Sequence, residues 1–136
     1  MNTQLVEKAN QFIKTRDTAS VGVIDENGYP SVCAITLCNP ETISELYFTT
    51  TLDSNKANRL KANNKASINC FSDMNNITLV GEAEILTDQD SKTKYWKAWF
   101  CEVYEGPTDP NYCVIKFTTK RVSLWLGEDG GEFPLA

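Results

Sequence analysis

The sequence contains no histidine. That absence excludes Ser-His-Asp and Cys-His catalytic arrangements, His-ligated zinc and haem held by a proximal His. It leaves proton transfer near neutral pH to some other group. Cations are the minority charge, 13 Lys+Arg against 18 Asp+Glu for a formal net charge of -5, and nucleic-acid backbones demand clustered positive charge. Long apolar runs are also missing. The longest stretch without Asp, Glu, Lys or Arg, residues 27–40, contains Pro30 and Pro40 and is too short to span a bilayer. No basic segment followed by an apolar run marks the N-terminus, so no signal peptide is expected and the chain is assigned to the cytoplasm. The cysteines, Cys33, Cys38, Cys70, Cys101 and Cys113, are odd in number and lack metal-site spacing. They read as free thiols, mostly packed as small apolar residues in a reducing compartment.

What remains is one domain of 136 residues, with 41% hydrophobic residues to build a core. A chain of this size buries only about two-thirds of its unfolded surface, and a dimer would bury more. Residues 3–15 place Leu5, Val6, Ala9, Phe12 and Ile13 on one helical face, capped by Asn2 or Thr3. Residues 19–25 and 29–38 read as strands joined at Asn27-Gly28, a hairpin signal, with Pro30 near the start of the second. A third strand spans 45–51, followed by a helix from Asp53 or Ser54 to about Asn63. Ala66, Ile68 and Cys70 alternate along residues 65–72. Residues 77–87 form a long strand in which Gly81 suggests a bulge or a close backbone approach. A third helix is expected over Asp88–Phe100, strands over 112–118 and 121–126, and an acidic, Gly-rich tail over 127–136. About six short strands in hairpin order point to a mainly β fold, a closed or nearly closed antiparallel barrel with added helices.

Charge is spread unevenly along this frame. No acidic residue lies between Asp53 and Asp73, whereas Lys56, Arg59, Lys61 and Lys65 fall within ten positions. Lys56 sits in the first turn of the predicted second helix, where the macrodipole already places positive charge and a cation is mildly unfavourable. A bound anion would resolve this: first-turn amides, the Ser54 hydroxyl and the Lys56 ammonium converge on one phosphate, with Thr49, Thr50 and Thr51 on the strand before. A solvated basic helix capped by Ser54, with Lys56 in water, accounts for the spacing equally well. Tyr95, Trp96, Trp99, Phe100 and Tyr104 cluster in one segment. They read as core or dimer packing, with a wall or lid of a ligand pocket as the alternative.

Four stretches, taken in order, resemble the flavin-binding split barrels of the pyridoxamine 5′-phosphate oxidase-like superfamily, within it the bacterial general stress protein subgroup. They are the turn Asp25-Glu26-Asn27-Gly28-Tyr29-Pro30; Leu46 to Lys56 with the helix and strand start through Ser67; Ile77 to Glu84 with Gly81; and Lys97-Ala98-Trp99-Phe100 with Val122-Ser123-Leu124-Trp125. The second stretch is the most specific. The resemblance covers residues 3 to about 126. It implies a six-stranded antiparallel split barrel of Greek-key type that forms a homodimer, with FMN at the subunit interface. It also implies that Phe48, Thr49, Thr50, Ser54, Asn55 and Lys56 hold the FMN phosphate, that Asn76 and Thr78 face the flavin from the sheet, and that Trp125 lies near the ring system.

Two departures stand out. Where such barrels often carry an arginine three residues after the hairpin Pro, this chain has Cys33, which removes one charge-assisted contact worth about 1.5–3 kcal/mol. Weaker FMN retention follows. No Lys or Arg occurs after Arg121, and the acidic end would repel a second phosphate, so vitamin B6 phosphate is not the expected substrate. The expected function is a small FMN-dependent oxidoreductase passing electrons from a nicotinamide donor to a small acceptor, related to stress. The alternatives are a non-catalytic flavin-binding stress protein and a split barrel for haem or a deazaflavin. Another is a single-strand nucleic-acid barrel stacking bases on Tyr47 and Phe48. No nucleic acid, membrane or metal is expected as a partner.

Overall fold

The computed structural model describes residues 2–135. Helix α1 (Thr3–Lys14) forms where the apolar period predicts it, burying Ala9 and Ile13. Asn2 is its N-cap residue but makes no capping bond through its side chain. Strands β1 (Thr18–Ile24) and β2 (Pro30–Thr36) pair antiparallel in full register. Between them Asp25 N–H donates to the Tyr29 carbonyl and Gly28 N–H to the Asp25 carbonyl. Gly28 takes a φ of 84°, so a type I turn is closed by a left-handed glycine, a role an L side chain fills poorly.

The Asp25 carboxylate accepts the amides of Asn27 and Tyr29, both at 2.9 Å, and these bonds hold its pKa below the ordinary value. A carboxyl with a depressed folded-state pKa stabilises the fold above its ordinary pKa and loses that contribution as pH falls through the folded value. The urea midpoint of wild type should therefore exceed that of Asp25→Asn at neutral pH, with the gap shrinking below about pH 4. A gap unchanged down to about pH 2 would assign no stabilisation to this charge.

Strand β3 (Glu45–Thr51) leads into helix α2 (Asn55–Ala62), which Ser54 caps by accepting the Ala57 amide. Strands β4 (Lys65–Ser72) and β5 (Asn75–Leu86) form the next hairpin. Ala66, Ile68 and Cys70 point inward as the alternation requires. Strand β6 (Tyr112–Leu126) is one continuous strand where two are expected from the sequence. The polar run at Thr119-Lys120 reads as a turn but is a β-bulge: Val80 pairs with Arg121 and Gly81 with Thr119, leaving Lys120 extra. One extra residue reverses the face that each later residue presents. Accordingly the inward positions of β6 run 113, 115, 117 and 119 before it and 122, 124 and 126 after it, while Tyr112 and Val114 are buried on the opposite face under the α3 segment.

The sheet order is β2-β1-β4-β5-β6-β3. A bridge between Leu37 and Phe48 brings the end of β2 onto β3, so the two edge strands meet and the sheet curls into a nearly closed barrel. With β3 lying beside β6 and β4, β5 and β6 consecutive, the order is that of a Greek key.

Two expectations are corrected. Residues 127–136 do not trail away as a tail: strand β7 (Asp129–Pro134) pairs with β6, buries Phe133 in the core and ties Asp129 to Lys8 of α1. Residue 136 lies outside the described residues. The sheet accordingly has seven strands instead of about six. The third helix does not run from Asp88 to Phe100 either. Helix α3 (Gln89–Lys94) stops at Tyr95, Lys97 is extended, and a 3-10 helix covers Ala98–Glu102. The break lets Tyr95 stack on Tyr47 at 4.3 Å while Trp96 packs edge-on against both Phe100 and Tyr112. Tertiary aromatic packing here overrides helix propensity.

The barrel interior is one apolar core, from Ala9 and Ile13 through Phe48, Ile115 and Phe117 to Phe133. A smaller aromatic cluster of Tyr95, Phe100, Tyr104 and Tyr112 lies outside it, under the α3 segment. No helix among the described residues is long and apolar enough to cross a membrane.

Candidate functional site

Strand β3 alternates strictly: Leu46, Phe48 and Thr50 point inward, Tyr47 and Thr49 outward. This separates residues that the sequence presents as one run of donors. Thr49 faces a cleft of about 190 Å³, with Lys56 from the first turn of α2, Ala34, Ile35 and Thr36 from β2, and Trp99, Phe100, Val103 and Tyr104 from the 3-10 segment. Phe48 is fully buried, so its side chain supports the cleft from below: the Lys56 ammonium lies 5.9 Å from its ring centroid. Thr50 is buried, its hydroxyl 3.0 Å from the Ser54 Oγ, which also accepts the Ala57 amide. These two hydroxyls brace the strand-to-helix corner. Asn55 is exposed at the first position of α2.

The basic island sorts itself by partner. Arg59 pairs with Glu26 at 3.0 Å and Lys65 with Glu82 at 3.0 Å, while Lys61 donates to the Leu52 carbonyl. Among the described residues Lys56 makes no ion pair, although it carries a cation into the positive end of a helix. The first-turn amides of Asn55 and Lys56 have no preceding turn to bond to. An ammonium, a hydroxyl and free helix amides form a donor set that matches a phosphate monoester. Tyr104 closes the cleft with its hydroxyl 3.3 Å from that of Thr51, and burial raises its pKa above the ordinary value.

Asn76, Thr78 and Trp125 do not enter this cleft. They stand on the outward face of β4, β5 and β6, where the Asn69 amide donates to Asn76 Oδ1 at 2.7 Å and to Thr78 Oγ1 at 2.9 Å. Trp125 lies opposite Asn76 in register and is 56% exposed, and Phe71, also opposite Asn76, is 70% exposed. A second, shallow groove of about 430 Å³ opens on the same outward face, lined by small residues such as Ser20, Gly22 and Ser67. The expected site residues therefore fall on two different surfaces of one chain.

The β2 wall and the Glu26–Arg59 pair are not evident from sequence reasoning. The spacing of Arg59 one turn after Lys56 signals only that the two cations are neighbours on α2; nothing local points to Glu26, 33 residues away. The aromatics of the α3 segment divide: Tyr95 is buried packing away from the cleft, Phe100 and Tyr104 are buried and also line it, and Trp99 is exposed at it. Tyr47 and Phe48 offer no base-stacking platform, since Phe48 is in the core and Tyr47 stacks on Tyr95.

All five cysteines are free, with Cys33 and Cys101 exposed and Cys38, Cys70 and Cys113 buried. Burial pushes the Cys38 thiol up to about 11. No group of residues suited to a metal ion occurs among the described residues.

No curated protein matches the chain. Solved structures do. A Clostridium acetobutylicum protein related to general stress protein 26 superposes with a TM-score of 0.86 at 25% identity, covering 99% of this chain and 97% of that one. General stress protein 26 from Bacillus anthracis gives 0.80 at 21% identity, covering 99% and 100%. A Nostoc punctiforme protein, described as pyridoxamine 5′-phosphate oxidase-related and FMN binding, gives 0.60 at 12% identity, covering 98% and 94%. The sequence family described as pyridoxamine 5′-phosphate oxidase matches residues 5–126. That span runs from the first turn of α1 to the end of β6 and leaves only β7 of the sheet outside, and the chain belongs to the pyridoxamine 5′-phosphate oxidase-like family of split barrels.

Proposed function

We propose that the protein binds FMN and acts as a small flavin-dependent oxidoreductase, with a nicotinamide donor and a small acceptor. The observation that carries this reading is the Lys56 ammonium, without an acidic partner among the described residues, set with Thr49 and the free end of α2 in one cleft. The FMN-binding description of the Nostoc relative supports the choice of ligand. Bound FMN would supply hydride and electron transfer. This chain's residues hold its phosphate through Lys56 and Thr49, and shield one side with Trp99 and Tyr104. The cleft holds no carboxylate and no histidine, so the protein's part is to bind and orient rather than to move a proton. A second phosphate on the substrate finds no further cation there, which argues against vitamin B6 phosphates.

The working unit in this reading is a homodimer. A pocket for a ligand of this class spans about 300–1,000 Å³, and the cleft of one chain offers about 190 Å³. The outward sheet face, with Val32, Phe71 and Trp125 exposed, is an apolar surface of the kind that a partner covers. In this reading a second copy covers that face, and Asn76, Thr78 and Trp125 contribute to the flavin site across the subunit interface. Light scattering should give twice the chain mass of 15.2 kDa.

Titration of flavin-free protein with FMN, followed by visible absorbance and flavin fluorescence, should show saturable binding. The loaded protein should then oxidise a reduced nicotinamide faster than free FMN does. Absence of saturable binding removes the flavin reading, and binding without acceleration reduces the protein to a flavin carrier.

A further inference from the structure

Along β2, Ser31, Cys33 and Ile35 share one face, because their cross-strand partners Val23, Val21 and Ala19 alternate with the outward Gly22 and Ser20. Helix α2 meets that face at two points. Lys56 shares the cleft with Ile35. Arg59, one turn later, reaches Ser31, donating from Nη1 to the Ser31 Oγ at 3.2 Å. Its Nε and Nη2 donate to the two Glu26 carboxylate oxygens at 3.0 and 3.4 Å. Cys33 lies between them, exposed and short.

A guanidinium has five N–H bonds. Three are engaged by Glu26 and Ser31, which leaves two without a partner among the described residues. The clamp also fixes where they point, since a bidentate carboxylate and a hydroxyl define the plane of the group. A phosphate monoester at neutral pH carries about 1.5–2 negative charges, and Lys56 balances one. Helix positions three apart are neighbours at about 5–6 Å between Cβ atoms, so both cations can reach one phosphate above Cys33.

Resting on the FMN reading above, we propose that Arg59 is a second phosphate-binding cation, oriented by Glu26 and Ser31, and that the space over Cys33 receives the phosphate. Arg59 thereby sets the preference for flavins that carry a phosphate over those that do not. A merely structural Arg59, tying the β1–β2 hairpin to α2, would affect both kinds of flavin alike.

The test compares dissociation constants of FMN and riboflavin, read by flavin fluorescence, in wild type, Arg59→Gln, Arg59→Lys and Lys56→Ala. The expected result is a loss of about tenfold to hundredfold in FMN affinity for Arg59→Gln with riboflavin affinity unchanged. Arg59→Lys, which keeps the charge, retains most of the preference. An unchanged FMN-to-riboflavin ratio in Arg59→Gln, or an equal loss for both ligands, overturns the proposal. So does a loss in Arg59→Lys as large as in Arg59→Gln. If Lys56→Ala loses FMN while Arg59→Gln does not, the flavin reading stands and only this inference falls. If wild type binds neither flavin, both fall.

Discussion

Lys56→Ala is expected to weaken FMN binding roughly ten- to a hundredfold while leaving thermal stability almost unchanged. The two effects separate because the forces on Lys56 in the free protein nearly cancel. A cation in the first turn of α2 opposes the macrodipole, at about 0.3–1 kcal/mol. The Phe48 ring beneath the ammonium returns about 0.5–1 kcal/mol. Removing both should move the unfolding free energy by less than about 0.5 kcal/mol, the range of ordinary surface substitutions. A bound phosphate changes the balance, because the ammonium then gains a charge-assisted contact in a half-enclosed cleft. Fluorescence titration and a melting curve on the same sample decide it. Unchanged FMN affinity would place the phosphate elsewhere, even with the fold correct. A collapse in melting temperature would show that Lys56 is structural.

The largest expected effect on stability comes from Gly81→Ala. A Cβ built at Gly81 would lie 2.0 Å from the Thr118 carbonyl oxygen and 3.1 Å from the Phe117 ring. The obstacle is backbone of the central strand β6, beside the bulge at Lys120, and it cannot rotate away as a side chain could. Accommodating one methyl group means moving β6 away from β5, which disturbs pairing with β3 and β7 as well. Overpacking of this kind costs about 1–3 kcal/mol where side chains can yield. Here the expected loss is about 3–5 kcal/mol, at the upper end for single substitutions. The gain of about 0.4–1 kcal/mol from restricting the unfolded chain does not offset it. At roughly 3–5 °C per kcal/mol for a domain of this length, the melting temperature should fall by about 10–20 °C. Gly106→Ala is the matched control, since a Cβ there meets nothing within 4 Å. A Gly81→Ala melting temperature close to that of Gly106→Ala would mean that the bulge yields, and that the close approach is no constraint.

Gly81 also shows which signals in the sequence were reliable. A glycine inside an otherwise regular strand pattern has few explanations, and the close approach of β6 is one of them. Similarly, Ala66, Ile68 and Cys70 alternate cleanly because β4 has one buried and one open face. The expectation of two strands in place of β6 fails for a related reason. Local polarity at Thr119-Lys120 imitates a turn, and only the pairing partner Gly81 reveals that the strand carries on through a bulge. Residues 128–132 read as a tail because they are polar and Gly-rich, with little strand propensity of their own. The segment becomes a strand because β6 presents an open edge and Phe133 has a place in the core.

The sequence by itself determined that the chain cannot use histidine chemistry, that an antiparallel mainly β barrel carries the chain, and that a cation sits at the start of α2 where an anion would suit it. Those conclusions rest on composition, on the period-two and period-3.6 placement of apolar residues, and on charge at a helix end, all local properties. Tertiary structure alone decided which donors face the cleft. Pleating turns Thr49 outward and Thr50 inward, an assignment that depends on which face of β3 meets the core. It also decided that Glu26 and Ser31 hold Arg59 from a distant hairpin, and that Asn76, Thr78 and Trp125 stand on another face altogether. Pairings between residues about thirty positions apart leave no trace in local periodicity, because loop closure and sheet register, rather than neighbouring side chains, bring them together.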